Sequence, residues 1–475
     1  MRVRRVVEEL HLVLASGSRV QPMHALQALR HRRGVVALDS AGGAPAQLSL
    51  VAFDPLRLGP PPARLEELEA WCAQVQFIEG DPAPVAFGGG WIGACSYDLG
   101  VAGEQQYLAL PRDPWRLPLL VGGVYCDYLA FDHTSGRVWL VLGAGELDGR
   151  ASLAERHASI FDDLTVEEGQ LSRDLVPCRS VGPLVRKTQP DVHRARITAA
   201  REAIARGEYY QANVAHRFER LVSGDPLDLY LRLRRVNAAP YAGYLAWEAA
   251  QVAGEAQTLR GAILCSSPEL LLDYNGSEAR TRPIKGTIPR GATAAEDARQ
   301  KTALLASEKD RAELAMIVDL ERNDLGRLAL TGGVRVEGFP RLESYAAVHH
   351  LVTDVIARMG PGVRGEALLM ALFPGGSITG APKVAAMRAI AELEGEGRGW
   401  FTGALGWISH DGQAQWNILI RTLVWRPSPT AQDPNAGEVC FHVGGGITWH
   451  SDPHAEDEET LHKARALMRA LDERS

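Results

Sequence analysis

Short apolar runs punctuated by proline and glycine fill the first ~175 residues, and runs of that length bounded by turn formers predict strands. Val138-Trp139-Leu140-Val141-Leu142 is one such run, and Pro82-Ala83-Pro84 one such break. The periodicity lapses between Asp174 and Pro190. Helical spacing then predicts a helix capped by Asp191, running through Ile204 and stopped at Gly207. Further helices are predicted over 294–325 and over 382–394, where Gly395 ends the second. Strands are predicted over 400–408, 415–425 and 439–443, the first two joined by the turn His410-Asp411-Gly412. A last helix docks through Leu461, Ala464, Leu467 and Leu471. Strands and helices grouped in blocks predict an α+β fold, divided at the lapse into residues 1–175 and 190–475.

Composition narrows the class. A chain of 475 residues can bury a sizeable core, and a net charge of −7 with both signs spread along it offers no basic stripe for nucleic acid. Cys72, Cys95, Cys126, Cys178, Cys265 and Cys440 show no CxxC spacing, which argues against a zinc site or a disulfide framework and for a reducing compartment, the cytoplasm. Glu8, Glu9 and His11 interrupt the apolar start, so no signal-peptide core is predicted, and no run is long enough to span a bilayer.

Candidate chemistry concentrates in the second segment. Pro283-Ile284-Lys285-Gly286-Thr287 places a lysine in a tight, glycine-containing turn. Upstream, Glu269 stands just before the apolar run Leu270-Leu271-Leu272, in a strand predicted over 265–272. If the two segments pair as a hairpin, Glu269 meets Lys285, either as a surface ion pair or as the acid/base partner of a nucleophilic lysine. On the 294–325 helix, Asp310 and Glu313 share a face at i, i+3, and Glu456 and Glu459 repeat the spacing on the last helix. Such pairs serve as helix-terminus charges or, as an oxygen-only set, as ligands for Mg²⁺. Gly444-Gly445-Gly446 is either a flexible loop or a source of bare backbone N–H groups for an anion, a role open also to Gly286-Thr287. The glycines before Lys383 offer an anion-binding helix end or simply a capped helix. His349 and His350 are adjacent, and the register of their strand decides which faces a site.

The loop around Lys285 resembles the signature of the chorismate-utilising enzymes. The resemblance extends through Gly207-Glu208-Tyr209-Tyr210-Gln211-Ala212-Asn213, Ser307-Glu308-Lys309-Asp310-Arg311-Ala312-Glu313, Asp319-Leu320-Glu321-Arg322-Asn323-Asp324-Leu325-Gly326-Arg327, Phe373-Pro374-Gly375-Gly376-Ser377-Ile378-Thr379-Gly380-Ala381-Pro382-Lys383 and Gly444-Gly445-Gly446-Ile447-Thr448. Residues 1–175 contribute only Gly88-Gly89-Gly90-Trp91-Ile92-Gly93 and Tyr97-Asp98-Leu99.

The resemblance implies an anthranilate synthase component I-like fold of two stacked, antiparallel-rich sheets surrounded by helices, with chorismate bound by residues 190–475. A lysine at 285 resembles the aminodeoxychorismate synthase component I branch, whereas anthranilate synthase component I carries alanine there. By the same resemblance, Glu313 and Glu459 contact Mg²⁺ with Asp310 and Glu456 behind them, Arg421 grips a carboxylate, and His350 is the histidine near the C4 hydroxyl. Gln211 stands where isochorismate and salicylate synthases carry a lysine base, and an amide cannot take that proton. Ala212, His216, Cys95 and Ser96 depart from the family pattern, and the Leu-Leu-Glu-Ser stretch of the tryptophan-inhibition site has no counterpart near the N-terminus. No glutaminase nucleophile motif is recognised, so the implied ammonia comes from a separate glutamine amidotransferase subunit or from free ammonium. The alternatives are an anthranilate synthase component I and a non-catalytic, glutaminase-binding paralogue.

Overall fold

The structure, a computed structural model, describes all residues except 15–16, 42–46, 59–64, 104–110, 146–149, 250–258, 346–347, 432, 434 and 473–475. Among the described residues two β-sheets stack face to face, one of 14 strands and one of 10. Strand pairs are antiparallel except Arg2–Glu9 with Gln76–Ile78. Alternation along each strand sorts side chains between layers. In Leu48–Phe53, Leu50 and Ala52 enter the core between the sheets, while Val51 and Phe53 face the helices outside the larger sheet. In Gly90–Cys95 of the smaller sheet, Ile92 and Ala94 face inward, and Trp91 and Cys95 pack outward. Burial on both faces is why these strands read as unbroken apolar runs. The expected α+β arrangement is thus present. Both sheets draw on both sequence segments: Val36–Asp39 pairs with Tyr241–Ala249, and Gly90–Cys95 with Ala404–Ser409.

Several expected elements are corrected. The helix over 294–325 is two helices, Ala294–Ala306 and Glu308–Gly326. Ser307 breaks it with extended ψ, and its side chain caps the second helix by accepting from Asp310 N at 3.3 Å. The helix predicted to be capped by Asp191 spans Pro190–Ala205 with Gln189 as its cap and Asp191 in its first turn. The strand predicted at 400–408 starts later, at Ala404.

The largest correction concerns two runs that change sheets. Residues 265–272 divide into the end of Leu259–Ser267 in the larger sheet and the start of Leu270–Tyr274 in the smaller. The run 415–425 divides likewise into Ala414–Asn417 and Thr422–Pro427. The crossings lie side by side, since the two strands pair within each sheet. They are stitched by Ser267 Oγ to Ile418 O at 2.6 Å and Ile418 N to Glu269 O at 3.1 Å. Glu269 sits in one crossing and Arg421 in the other.

Candidate active site

Lys285 lies on the strand Ile284–Pro289, where a bulge between Lys285 and Thr287 interrupts pairing with Val348–Met359; the expected free turn is this bulge. Gly286 makes it, at φ +72, and a β-carbon there would stand 3.0 Å from Asp310 Cβ. The upstream hairpin pairs Leu270–Tyr274 with Glu278–Arg282, while the strand of Lys285 pairs with Val348–Met359, so the expected hairpin between the two segments does not form; Glu269 still reaches the lysine's segment, where its Oε1 accepts from Ile284 N at 3.3 Å. Lys285 Nζ donates to Ser377 O at 3.1 Å.

Protein surrounds both charged ends. Burial lowers the Lys285 pKa, against the pull of Glu313 and Glu269. Burial raises that of Glu269, against Ser377, Lys285, the Ile284 N–H and Arg421. Each shift is in the direction of the uncharged form. Arg421 stands in its crossing at φ +51 rather than in the regular strand expected, and burial lowers its pKa while Glu269 opposes. Its charge reaches His350, which burial and then Arg421 push down to about 3. His350 Nδ1 lies 2.8 Å from Thr287 Oγ1. His349, on the opposite strand face, is tied to Ser344 Oγ at 2.8 Å and Asp297 Oδ1 at 2.9 Å.

Gln211 begins the strand Gln211–Ser223, which pairs with Ala436–Ile447. Gly444, Gly445 and Gly446 lie within that second strand rather than in a loop after it. A β-carbon at Gly446 would fall 2.2 Å from Gln211 Nε2 and 3.6 Å from Lys285 Nζ, which places the amide beside the lysine. Gln211 is buried, and neither its Oε1 nor its Nε2 has a hydrogen-bond partner. An unpaired buried amide costs stability, about 1–3 kcal/mol, unless something binds it.

The four carboxylates form a rim above this wall. Lys309 Nζ stands 3.9 Å from Glu313 Oε1 and 3.6 Å from Glu456 Oε1, and Lys463 Nζ is 2.8 Å from Glu459 Oε1. Ser451 Oγ donates to Glu456 Oε1 at 2.7 Å. Asp310 abuts the Gly286 bulge, and Gly445 backs onto Glu456. Burial raises the Glu313 pKa against Lys285 and Lys309. For Glu459 burial is the largest influence and pushes upward, but Lys463, Lys309 and Lys285 together outweigh it and the net shift is down. Glu313 Oε1 is buried without a hydrogen-bond partner.

Sequence reasoning missed four contributors. Lys309 and Lys463 were legible as i, i+4 partners of Glu313 and Glu459. Ser377 contributes its carbonyl through the Gly376–Ile378 turn, and no sequence signal marks that. Glu321, two turns on from Glu313, lies buried behind Glu269 and accepts from Thr281 Oγ1 at 3.1 Å; burial and Glu269 raise its pKa far above the carboxylate range. Lys383 is engaged elsewhere, by Asp324 at 2.7 Å and Leu372 O at 2.8 Å.

The site thus gathers a buried lysine, a buried carboxyl group and a buried arginine beside a set of four carboxylates. The sequence profile of the family described as "chorismate binding enzyme" matches residues 52–469, and the chain belongs to that family. It is 35% identical over 389 residues to aminodeoxychorismate synthase component 1 of Bacillus subtilis (strain 168), covering 81% of this chain and 77% of the relative. It is 42% identical over 276 residues to anthranilate synthase component 1 of Aquifex aeolicus (strain VF5), covering 58% and 52%. Its fold matches the crystal structure of anthranilate synthase component I from Streptococcus pneumoniae TIGR4, with TM-score 0.72 and 28% identity over 90% of this chain and 93% of that one. The two-sheet α+β fold expected from the resemblance is therefore the fold of the family.

Proposed function

We propose that the chain is the chorismate-aminating component of an aminodeoxychorismate synthase, a cytoplasmic enzyme forming 4-amino-4-deoxychorismate for 4-aminobenzoate and folate synthesis. Ammonia comes from a glutamine amidotransferase subunit or from free ammonium. The observation that carries this reading is the Lys285–Glu269 pair, in which burial favours the free amine and the protonated acid.

Lys285 Nζ adds its lone pair at C2 of chorismate, the C1=C2 and C5=C6 double bonds shift to C1=C6 and C4=C5, and the C4–oxygen bond breaks. Glu269 gives its proton to the departing hydroxyl, which leaves as water. Ammonia then adds at C4, the C2–nitrogen bond returns its pair to Lys285, and Glu269 recovers a proton from the new ammonium. Two successive displacements keep the stereochemical sense that one would invert. His350 stands near the departing hydroxyl. Arg421, Gly286, Thr287 and the Gly444–446 backbone receive the carboxylates, and the Gln211 amide orients the ring without being able to activate water.

The rim fits Mg²⁺ on its oxygen-only donors and on Glu313 Oε1, which has no hydrogen-bond partner. Glu313 and Glu459 would hold the ion, and Asp310 and Glu456 its waters. When bound it supplies positive charge to the substrate's ring carboxylate.

Mass spectrometry of the products from chorismate, Mg²⁺ and ammonium tests the reading. The expected product has the C4 hydroxyl replaced by an amine, keeps its enolpyruvyl group and gives 4-aminobenzoate with added lyase. Fluorescent anthranilate would overturn it in favour of the second enzyme, to which the 42% identical relative points.

A further inference from the structure

Among the described residues, the one group of His, Cys, Asp or Glu whose ligand atoms come within 4.8 Å of one another is His193, His216 and Asp457, all buried. It has the composition of a metal site, but its carboxylate is already engaged. Arg186 Nη2 is ion-paired to Asp457, and Arg194 Nη1 is 3.7 Å from it. Asp457 is thus already paired, and a dication here would have to displace a guanidinium group from it. The cluster therefore has work other than holding a metal.

Its position shows what that work is. Asp457 and Thr460 lie on the helix Pro453–Asp472, next in sequence to Glu456 and Glu459 of the rim. At about 100° per residue, the pair Glu456 and Glu459 faces one side, and Asp457 and Thr460 face the adjacent one. The second face is bound to three elements. Asp457 Oδ1 is 2.7 Å from His193 Nδ1 on the helix Pro190–Ala205 and is paired with Arg186 on the strand Val185–Arg186. Thr460 Oγ1 is 2.8 Å from His216 Nε2 on Gln211–Ser223, the strand that begins with Gln211. The His193 and His216 rings pack with centroids 4.4 Å apart. Rotating the helix about its axis would break all of these contacts together.

We propose that Asp457 is a positioning residue for the acidic rim: anchored to Arg186 and His193, it fixes the rotation of the C-terminal helix so that Glu456 and Glu459 face Glu313 and Asp310. The inference rests on the rim being a cation site. A helix held only by its apolar face could roll by a few degrees, and carboxylates aimed from its other side would drift apart. Thr460 and His216 provide the second attachment, which makes the setting rotational rather than a single tether.

The test is Mn²⁺ binding to the full chain without substrate, followed by the loss of the free-ion electron paramagnetic resonance signal. Asp457→Asn is expected to weaken binding about tenfold, as removal of supporting contacts around metal ligands does. The control is Asp472→Asn, which removes the Arg220 ion pair at the far end of the same helix. It is expected to leave Mn²⁺ binding unchanged. His193→Gln provides a second route should Asp457→Asn fail to fold, with weakened binding again expected. Wild-type affinity in a folded Asp457→Asn or His193→Gln variant would overturn the proposal, as would equal weakening by Asp472→Asn. A wild-type chain that takes up no Mn²⁺ would overturn the cation-site reading itself, and the proposal with it.

Discussion

The inner wall and the outer rim use the same two residue types, and the exposed members of the rim are shifted oppositely to the wall, while the more buried Glu313 follows Glu269 upward. At the wall, Lys285 is shifted down and Glu269 up; at the rim, Lys309 is shifted up and Glu459 down. The difference is solvent. The rim side chains of Lys309 and Glu459 are half exposed, at 52% and 53%, so their charges are stabilised by water as well as by one another. At the wall, desolvation outweighs Coulomb attraction for both groups. In the proposed mechanism the wall carries the covalent step and the rim holds charge.

The strongest way to break this comparison is Lys285→Ala. Loss of the only nucleophile in the proposed route is expected to reduce formation of the C4-aminated product by on the order of 10⁴-fold or more. Any residual turnover is expected to place the amine at C2, where ammonia can attack directly. Product mass spectra decide it, and undiminished C4 amination would remove Lys285 from the mechanism.

Glu269→Gln comes next, with an expected fall in kcat of about 10²–10⁴-fold while chorismate still binds. Its pH profile sharpens the point. The free amine of Lys285 is present above its lowered pKa and is lost as pH falls through it; the acid form of Glu269 is present below its raised pKa and is lost as pH rises through it. Wild-type kcat/KM should therefore be bell-shaped, and Glu269→Gln should lose the alkaline limb and keep the acid one. An alkaline limb that persists in the variant would assign it to another group.

How far these regions could be read from sequence differs for the same physical reason. Lys285 and Glu269 announced themselves through local grammar: a proline before the lysine, a glycine after it, and a carboxylate at the head of an apolar run. The crossings that join them did not. Residues 265–272 and 415–425 are continuous in hydropathy because both sheets bury both strand faces, so nothing in the pattern marks the change of sheet, and Arg421 looked like part of a strand. Ser307 was legible in principle as a cap three residues before Asp310, yet the apolar periodicity runs through it. His349 and His350 needed the strand register, and the lysines of the rim needed attention to spacing rather than to charge alone.

The smallest effect tests the rim from its cationic side. Lys309 stands between Glu313 and Glu456, at 3.9 and 3.6 Å, as a built-in counter-ion to carboxylates that would otherwise repel one another. Half-exposed ion pairs of this kind contribute about 0–1 kcal/mol, so removing the lysine should leave the fold intact. It should also remove a positive charge that competes with any incoming dication. Lys309→Met is therefore expected to tighten Mn²⁺ binding by about two- to fivefold, an effect that shrinks as salt is raised because the competing charge is solvent-exposed. The direction is what discriminates. If Lys309 instead helps to hold the substrate, the variant will bind Mn²⁺ as the wild type does and show a raised KM for chorismate, and the division between a neutral wall and a charged rim would have to be redrawn with Lys309 on the substrate's side.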